Sequence, residues 1–151
     1  MDYQIGRVGR VIVARLYDGE SVYEQIQAMA ARENIRAASV MVVGGLRSGK
    51  VVCGPQDPAD PAHALFEEFS DAREIAGVGT IFCDDEGPKL HLHGAIGRGK
   101  ETLAGCPRGG AKVYCLLEAV ICEIEGVEAT RKIDPTFGLK MLTIASPRTT
   151  K

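Results

Sequence analysis

Apolar residues fall in short runs broken by glycine, proline and acidic turns, and most runs have the length and composition of strands. Residues 8–16 are apolar and β-branched and end at Asp18-Gly19. The period then changes. Ser21 and Glu24 form an S-x-x-E capping box, and Val22, Ile26, Met29 and Ala30 follow at helical spacing, which predicts a helix with one apolar face ending near Glu33-Asn34. Residues 35–46 (IRAASVMVVGGL) predict a strand with a bend or bulge at Gly44-Gly45, and residues 50–54 continue as a short strand. Three prolines make residues 55–63 (PQDPADPAH) a predicted surface loop, followed by a short strand at 64–70. Residues 74–84 and 89–96 read as an antiparallel hairpin turning at Asp84-Asp85-Glu86-Gly87. Residues 112–124 fit a helix or a strand, and their Val, Ile, Tyr and Cys content favours the strand. Residues 129–133 and 139–145 read as closing strands, and the tail SPRTTK as a frayed end. The expected fold class is α+β, a mainly antiparallel sheet with one principal helix packed on it, in a single domain over residues 1–151 with its core at about 7–144.

Composition narrows the functional classes. With 45% apolar and 25% charged residues, the 151-residue chain has the make-up of a globular protein. It has no tryptophan and 5% aromatic residues, which argues against a stacking platform for single-stranded nucleic acid. A net charge of −2 is a poor footprint for holding a polyanion. No run approaches the ~20 apolar residues of a membrane span, and MDYQIGRVGR lacks the apolar centre of a signal peptide, so a cytoplasmic location with no membrane partner is expected. Cys53, Cys83, Cys106, Cys115 and Cys122 are odd in number and show no framework spacing; they read as free thiols, mostly buried small hydrophobes. Cys106 stands apart, in a Gly/Pro/Arg-rich segment that reads as a loop.

The segment PKLHLHGAIGRGKETLAGCPRGG, residues 88–110, carries the candidate chemistry. On a strand, His91 and His93 project to one face roughly 6.7 Å apart along the chain, close enough for both imidazoles to meet one cation. Residues 94–104 are long enough to turn back and bring the Cys106 thiolate to the same place. Two histidines and one cysteine leave a fourth position for water, a substrate or another chain, the pattern of an open zinc site. The same pattern also fits a solvated strand face with two neutral histidines. His63 reads as a loop residue. Arg98, Lys100 and Arg108 fit surface charges individually; as a group beside a cation, Arg98 and Arg108 in particular, they are candidates for binding a small anion. Gly94, Gly97, Gly99, Gly105, Gly109 and Gly110 permit close backbone approach but lack the strand–loop–helix context of a phosphate fingerprint. Glu74 and Glu118 are possible carboxylate supports for an imidazole, or exposed strand residues. Arg131 and Asp134 are expected to pair across the last turn. Ser39 and Ser70 sit in no nucleophile arrangement.

In order along the chain, a Gly-Glu before the helix, the Gly-Gly after the apolar strand, "GVGTIF", "HLH", "AGC" and "DPTFGLKML" resemble the PPC domain, conserved in plants and prokaryotes, over about residues 7–144. That resemblance implies an α/β fold with an antiparallel sheet and a helix, and association as a homotrimer. It also implies a bound metal, commonly zinc, on the H-x-H pair plus a third histidine in a Gly-Gly-His segment. His91 and His93 match the pair, and Cys106 of Ala104-Gly105-Cys106 stands at the third position; "IGRGKETLAGCPRGG" resembles one prokaryotic branch. A thiolate there makes the site softer and more zinc-selective. Plant members join the domain to an AT-hook and bind DNA, but "PRGG" is no AT-hook and the chain is acidic, so DNA enters as a partner by family analogy alone. Three readings stay open: a metal-binding module that holds a small anion or regulates, a zinc-dependent hydrolase using the fourth position, and a DNA-binding protein.

Overall fold

Strands account for 70% of the residues described in the computed structural model, 1–145, and helix for only 8%, so the expected α+β class is wrong and the molecule is a β protein. The expected frayed tail lies outside the described residues. The elements run β1 (Arg7–Tyr17), α1 (Val22–Arg32), β2 (Ala37–Asp57), β3 (Asp60–Phe69), β4 (Arg73–Asp84), β5 (Gly87–Arg98), β6 (Glu101–Glu125), β7 (Ala129–Ile133) and β8 (Lys140–Ile144). The sheet order is β3-β2-β6-β5-β4-β7-β8, with β1 on β6, and a further pairing of β2 with β4. The ladder β2–β6–β5–β4 thus returns to β2 and closes on itself.

Closure explains why the helix is subordinate. Most of the large, fully buried side chains come from strands, among them Leu46, Ile81, Leu92, Ile96, Leu117 and Ile121, while α1 adds Val22 and Ile26. A sheet that closes buries its inner face against itself and needs a helix only where the ring is open. The 11 residues of α1 cover that gap, packing on β5 and β6. Among the described residues no helix is long and apolar enough to cross a membrane.

Segments read as loops are strand because two strands are very long: β2 has 21 residues and β6 has 25. The proline-rich stretch 55–63 continues β2 into β3, with Pro55 opposite Ala64. β3 is the sheet's terminal strand, where a missing N–H costs little. β2 bends where Gly44 takes φ +140° and the register to β6 shifts, as the Gly-Gly pair predicts. The hairpin of β4 and β5 is continuous from Asp84↔Gly87 to Glu74↔Gly97.

The helix start follows its sequence signal. The Ser21 hydroxyl accepts from the Glu24 N–H at 3.5 Å, and Val22, Ile26 and Ala30 are buried. Ser21→Ala leaves that N–H without its partner and is expected to lower stability by about 1 kcal/mol; urea unfolding of the two proteins measures it.

Candidate metal centre

The β5–β6 hairpin turns at Gly99-Lys100 and pairs Arg98↔Glu101 through Gly94↔Gly105, where its ladder ends. One register step further would oppose His93 to Cys106, and a third His91 to Arg108. Beyond the last pair the strands part. β5 stays on β4, with Val78↔His93 and Thr80↔His91. β6 stays on β2, with Val52↔Cys106 and Lys50↔Arg108. The candidate ligands stand at the mouth of this fork.

Their ligand atoms all lie within 4.8 Å of one another. His91 Nε2 and His93 Nε2 are 3.1 Å apart, with rings 83° to each other. Two nitrogens on a tetrahedral zinc are separated by roughly 3.3 Å, and a nitrogen and sulfur by roughly 3.5 Å, given the usual bond lengths. The nitrogen pair is therefore already at ligand spacing, and a small side-chain rotation closes the sulfur. The donor set fits a thiophilic, imidazole-binding ion.

Cys106 is 3% exposed and lies on β6, not in a loop. Arg108 Nε donates to its sulfur at 3.4 Å, and the Tyr23 hydroxyl of α1 stands 3.7 Å from it. Burial and the neighbouring sulfur raise the Tyr23 phenol well above its ordinary range, which keeps it protonated and neutral. Gln27 of α1 accepts from the Leu90 N–H at 3.0 Å, tying the helix to β5 beside His91. Burial lowers the pKa of both histidines; Arg131 and Arg108 add to this at His91, and His91 and Arg108 at His93. Both rings are thus neutral near pH 7, with lone pairs free to coordinate.

The fork opens into a cleft of about 1010 Å³. Arg108 lines it, but Arg98 does not: it sits at the hairpin tip, 3.2 Å from Asp71. Arg131 lines the cleft instead. Its expected pairing with Asp134 is not made; it donates to Thr80 Oγ1 at 3.3 Å, while Asp134 accepts from the Thr136 and Phe137 N–H groups. The single β-bridge between β7 and β4, Cys83↔Thr130, is what brings Arg131 here, a long-range pairing with no local signal. Of the cysteines only Cys83 and Cys106 are buried. His63 is on β3, 2.6 Å from Asp60. Glu74 and Glu118 are exposed, and Glu74 lies four residues along β4 from the partner of His93, roughly 13 Å.

The Asp71 cluster provides a separate test. Arg73, with help from Arg98, holds the Asp71 carboxyl down to about 2. The stabilisation is present above the unfolded carboxylate pKa of about 3.9 and is lost as pH falls through about 2. Asp71→Asn is therefore expected to lower Tm at pH 6, with the difference from wild type closing by pH 2; thermal unfolding across that range reads it.

His93 also ends a row of outward-facing residues. Register places Val13, Val120, Met41, Val78 and His93 side by side across β1, β6, β2, β4 and β5. Val13 is 79% exposed, Val78 66% and Met41 52%, a bare apolar band on a sheet face.

The Plants and Prokaryotes Conserved (PCC) domain matches residues 3–125. The chain belongs to this family. The match stops short of β7 and β8, so the "DPTFGLKML" part of the resemblance lies beyond it. No curated protein sequence matches the chain. Several solved structures share its fold. The metal-containing protein from Archaeoglobus fulgidus superposes with a TM-score of 0.84 at 23% identity, covering 95% of this chain and 99% of that one. A plant- and prokaryote-conserved protein from Pyrococcus horikoshii gives 0.83 at 20%, covering 97% and 100%. A Ralstonia eutropha JMP134 protein provisionally named as DNA-binding gives 0.71 at 19%, covering 88% and 90%. At these identities the likeness speaks for the fold alone.

Proposed function

We propose that this PCC-domain protein is a metal-binding module that holds zinc through His91, His93 and Cys106, with a fourth position facing a cleft that takes a small anion. The observation that carries the reading is the meeting of three nitrogen and sulfur ligand atoms within 4.8 Å where β5 and β6 part. The metal-containing name of the Archaeoglobus neighbour points the same way. A zinc ion with an open position binds an anion directly or acidifies a bound water. Of the two anion candidates, Arg108 is kept and Arg98 gives way to Arg131.

The hydrolase reading has less behind it. Glu74, its candidate base, is roughly 13 Å along β4 from the partner of His93, and Lys140 holds the cleft's Asp84 at 2.7 Å. The DNA-binding reading rests on the name of the Ralstonia neighbour, and the net charge of −2 weighs against it.

The bare band ending at His93 supports self-association, and the family suggests three copies. Copies that meet there would shield His93 on one side and leave the Arg108–Arg131 side open. Native mass spectrometry of the untagged protein tests both statements at once. The expected species is a trimer with one zinc per chain. A zinc-free protein after incubation with zinc would overturn the metal assignment, and a zinc-bearing monomer would overturn the assembly alone.

A further inference from the structure

We propose that the cleft selects a small amphiphilic oxyanion, with a carboxylate or phosphate head on Arg108 and Arg131 and an apolar acyl or aryl body along the β7–β8 hairpin. This deepens the reading above and rests on it for the placing of the head beside the metal position.

The cations of the cleft divide into two kinds. Lys140 is taken up by Asp84 at 2.7 Å and Asp85 at 3.0 Å, and Lys89 by Glu86 at 2.7 Å. Arg108 and Arg131 have no carboxylate within ion-pair distance among the described residues. The buried Nε of Arg131 has no hydrogen-bond partner among the described residues. A half-buried guanidinium with an unsatisfied N–H is costly unless something completes it, and an oxyanion is the group that does. Burial disfavours the charge on Arg131 and the neighbouring Arg108 adds to this, a repulsion that a shared anion relieves.

The β7–β8 hairpin that carries Arg131 also gives the cleft an apolar wall. Phe137, Leu139 and Met141 line the same cleft, and each keeps about two-fifths of its surface exposed. An inorganic ion would leave this wall wet, and a body of several carbons would cover it. A volume of about 1010 Å³ admits such a body. The wall can adjust, because β7 meets β4 through a single residue pair while Lys140 anchors β8 by its side chain.

Isothermal titration calorimetry with octanoate, octyl phosphate, acetate and inorganic phosphate, on zinc-loaded and chelator-stripped protein, tests the proposal. At least one eight-carbon probe should bind at least about tenfold more tightly than the short anion with the same head. The stronger of the two identifies the head. Arg131→Gln and the more exposed Arg108→Gln should each weaken the eight-carbon probe about tenfold or more. Leu139→Gln and Met141→Gln should remove the advantage of the long probe and leave the affinity of the short one unchanged. Equal binding of long and short anions, or none by any probe to the folded protein, would overturn the proposal. Zinc loading without chain-length preference would sink this inference and leave the metal site standing. Preference without zinc would do the reverse.

Discussion

His93→Ala and Cys106→Ser proteins are expected to retain almost no zinc after purification and dialysis, while wild type keeps about one per chain. Each change removes one of the three candidate ligands, and no other His, Cys, Asp or Glu joins the group among the described residues. His91→Ala should behave like His93→Ala. Arg98→Ala is the control: its partner is Asp71, so zinc should remain. Cys106→His discriminates further, because imidazole is an equally competent ligand and partial zinc binding should return. Cobalt substitution reads the sulfur directly. Wild type should show a thiolate-to-cobalt charge-transfer band, and Cys106→His should bind cobalt without it. Full zinc in Cys106→Ser would remove the cysteine from the site, and full zinc in both histidine variants would dispose of the site altogether.

Gly105→Ala is expected to be the most damaging single methyl in this region. A Cβ at Gly105 would run into the Val52 carbonyl oxygen, with the Val52 carbonyl carbon at 3.0 Å and Val51 Cγ1 at 3.1 Å. The obstacle is the backbone of β2, which cannot rotate aside, so β6 must move away from β2. Overpacking of this kind costs about 2–3 kcal/mol, and the next residue is Cys106. Stability and zinc affinity should therefore fall together. Ala104→Ser, one residue earlier and exposed, should change stability by less than about 0.5 kcal/mol. Denaturant midpoints and zinc content of the two variants decide it; a Gly105→Ala protein with a wild-type midpoint would show that β6 has room there.

Residues far from the cleft are tied to it by the same closure. Val51 and Val52 oppose Pro107 and Cys106, and Val42 on the same strand and Leu92 of β5 both pack over Gly77. The site is therefore a property of the closed ring rather than of the hairpin that supplies its ligands. A peptide of residues 88–110 carries all three candidate ligands but none of the strands that keep β5 and β6 apart at the fork.

Local signals made several features legible. The capping box starts α1, the Gly-Gly pair bends β2, and turn residues bracket the hairpin of β4 and β5. The approach of His91, His93 and Cys106 is legible for the same reason: the hairpin is local, and a turn at Gly99-Lys100 gives a register that ends at Gly94↔Gly105, one step short of 93 and 106. Gly99, with φ +61°, is the turn signal that would have moved Cys106 from a loop onto a strand. The fold class was not legible. Periodicity shows that residues 37–57 and 101–125 can be strand, but it does not show that β2 pairs with β6 and β4 at once. Closure depends on those distant ladders, and closure is what reduces the helix to a cap.

The sequence by itself determined which side chains could serve as ligands and that His91 and His93 share one strand face, because strand alternation is local; Cys106 reads there as a loop residue, and the structure puts it on β6. Tertiary structure alone decided which cations face them. Arg98 is drawn to Asp71, and Arg131 is delivered from β7 by the single pairing of Cys83 on β4 with Thr130, 47 residues apart in sequence. Contacts at such separation are set by how the whole sheet closes, and no short window of sequence contains them.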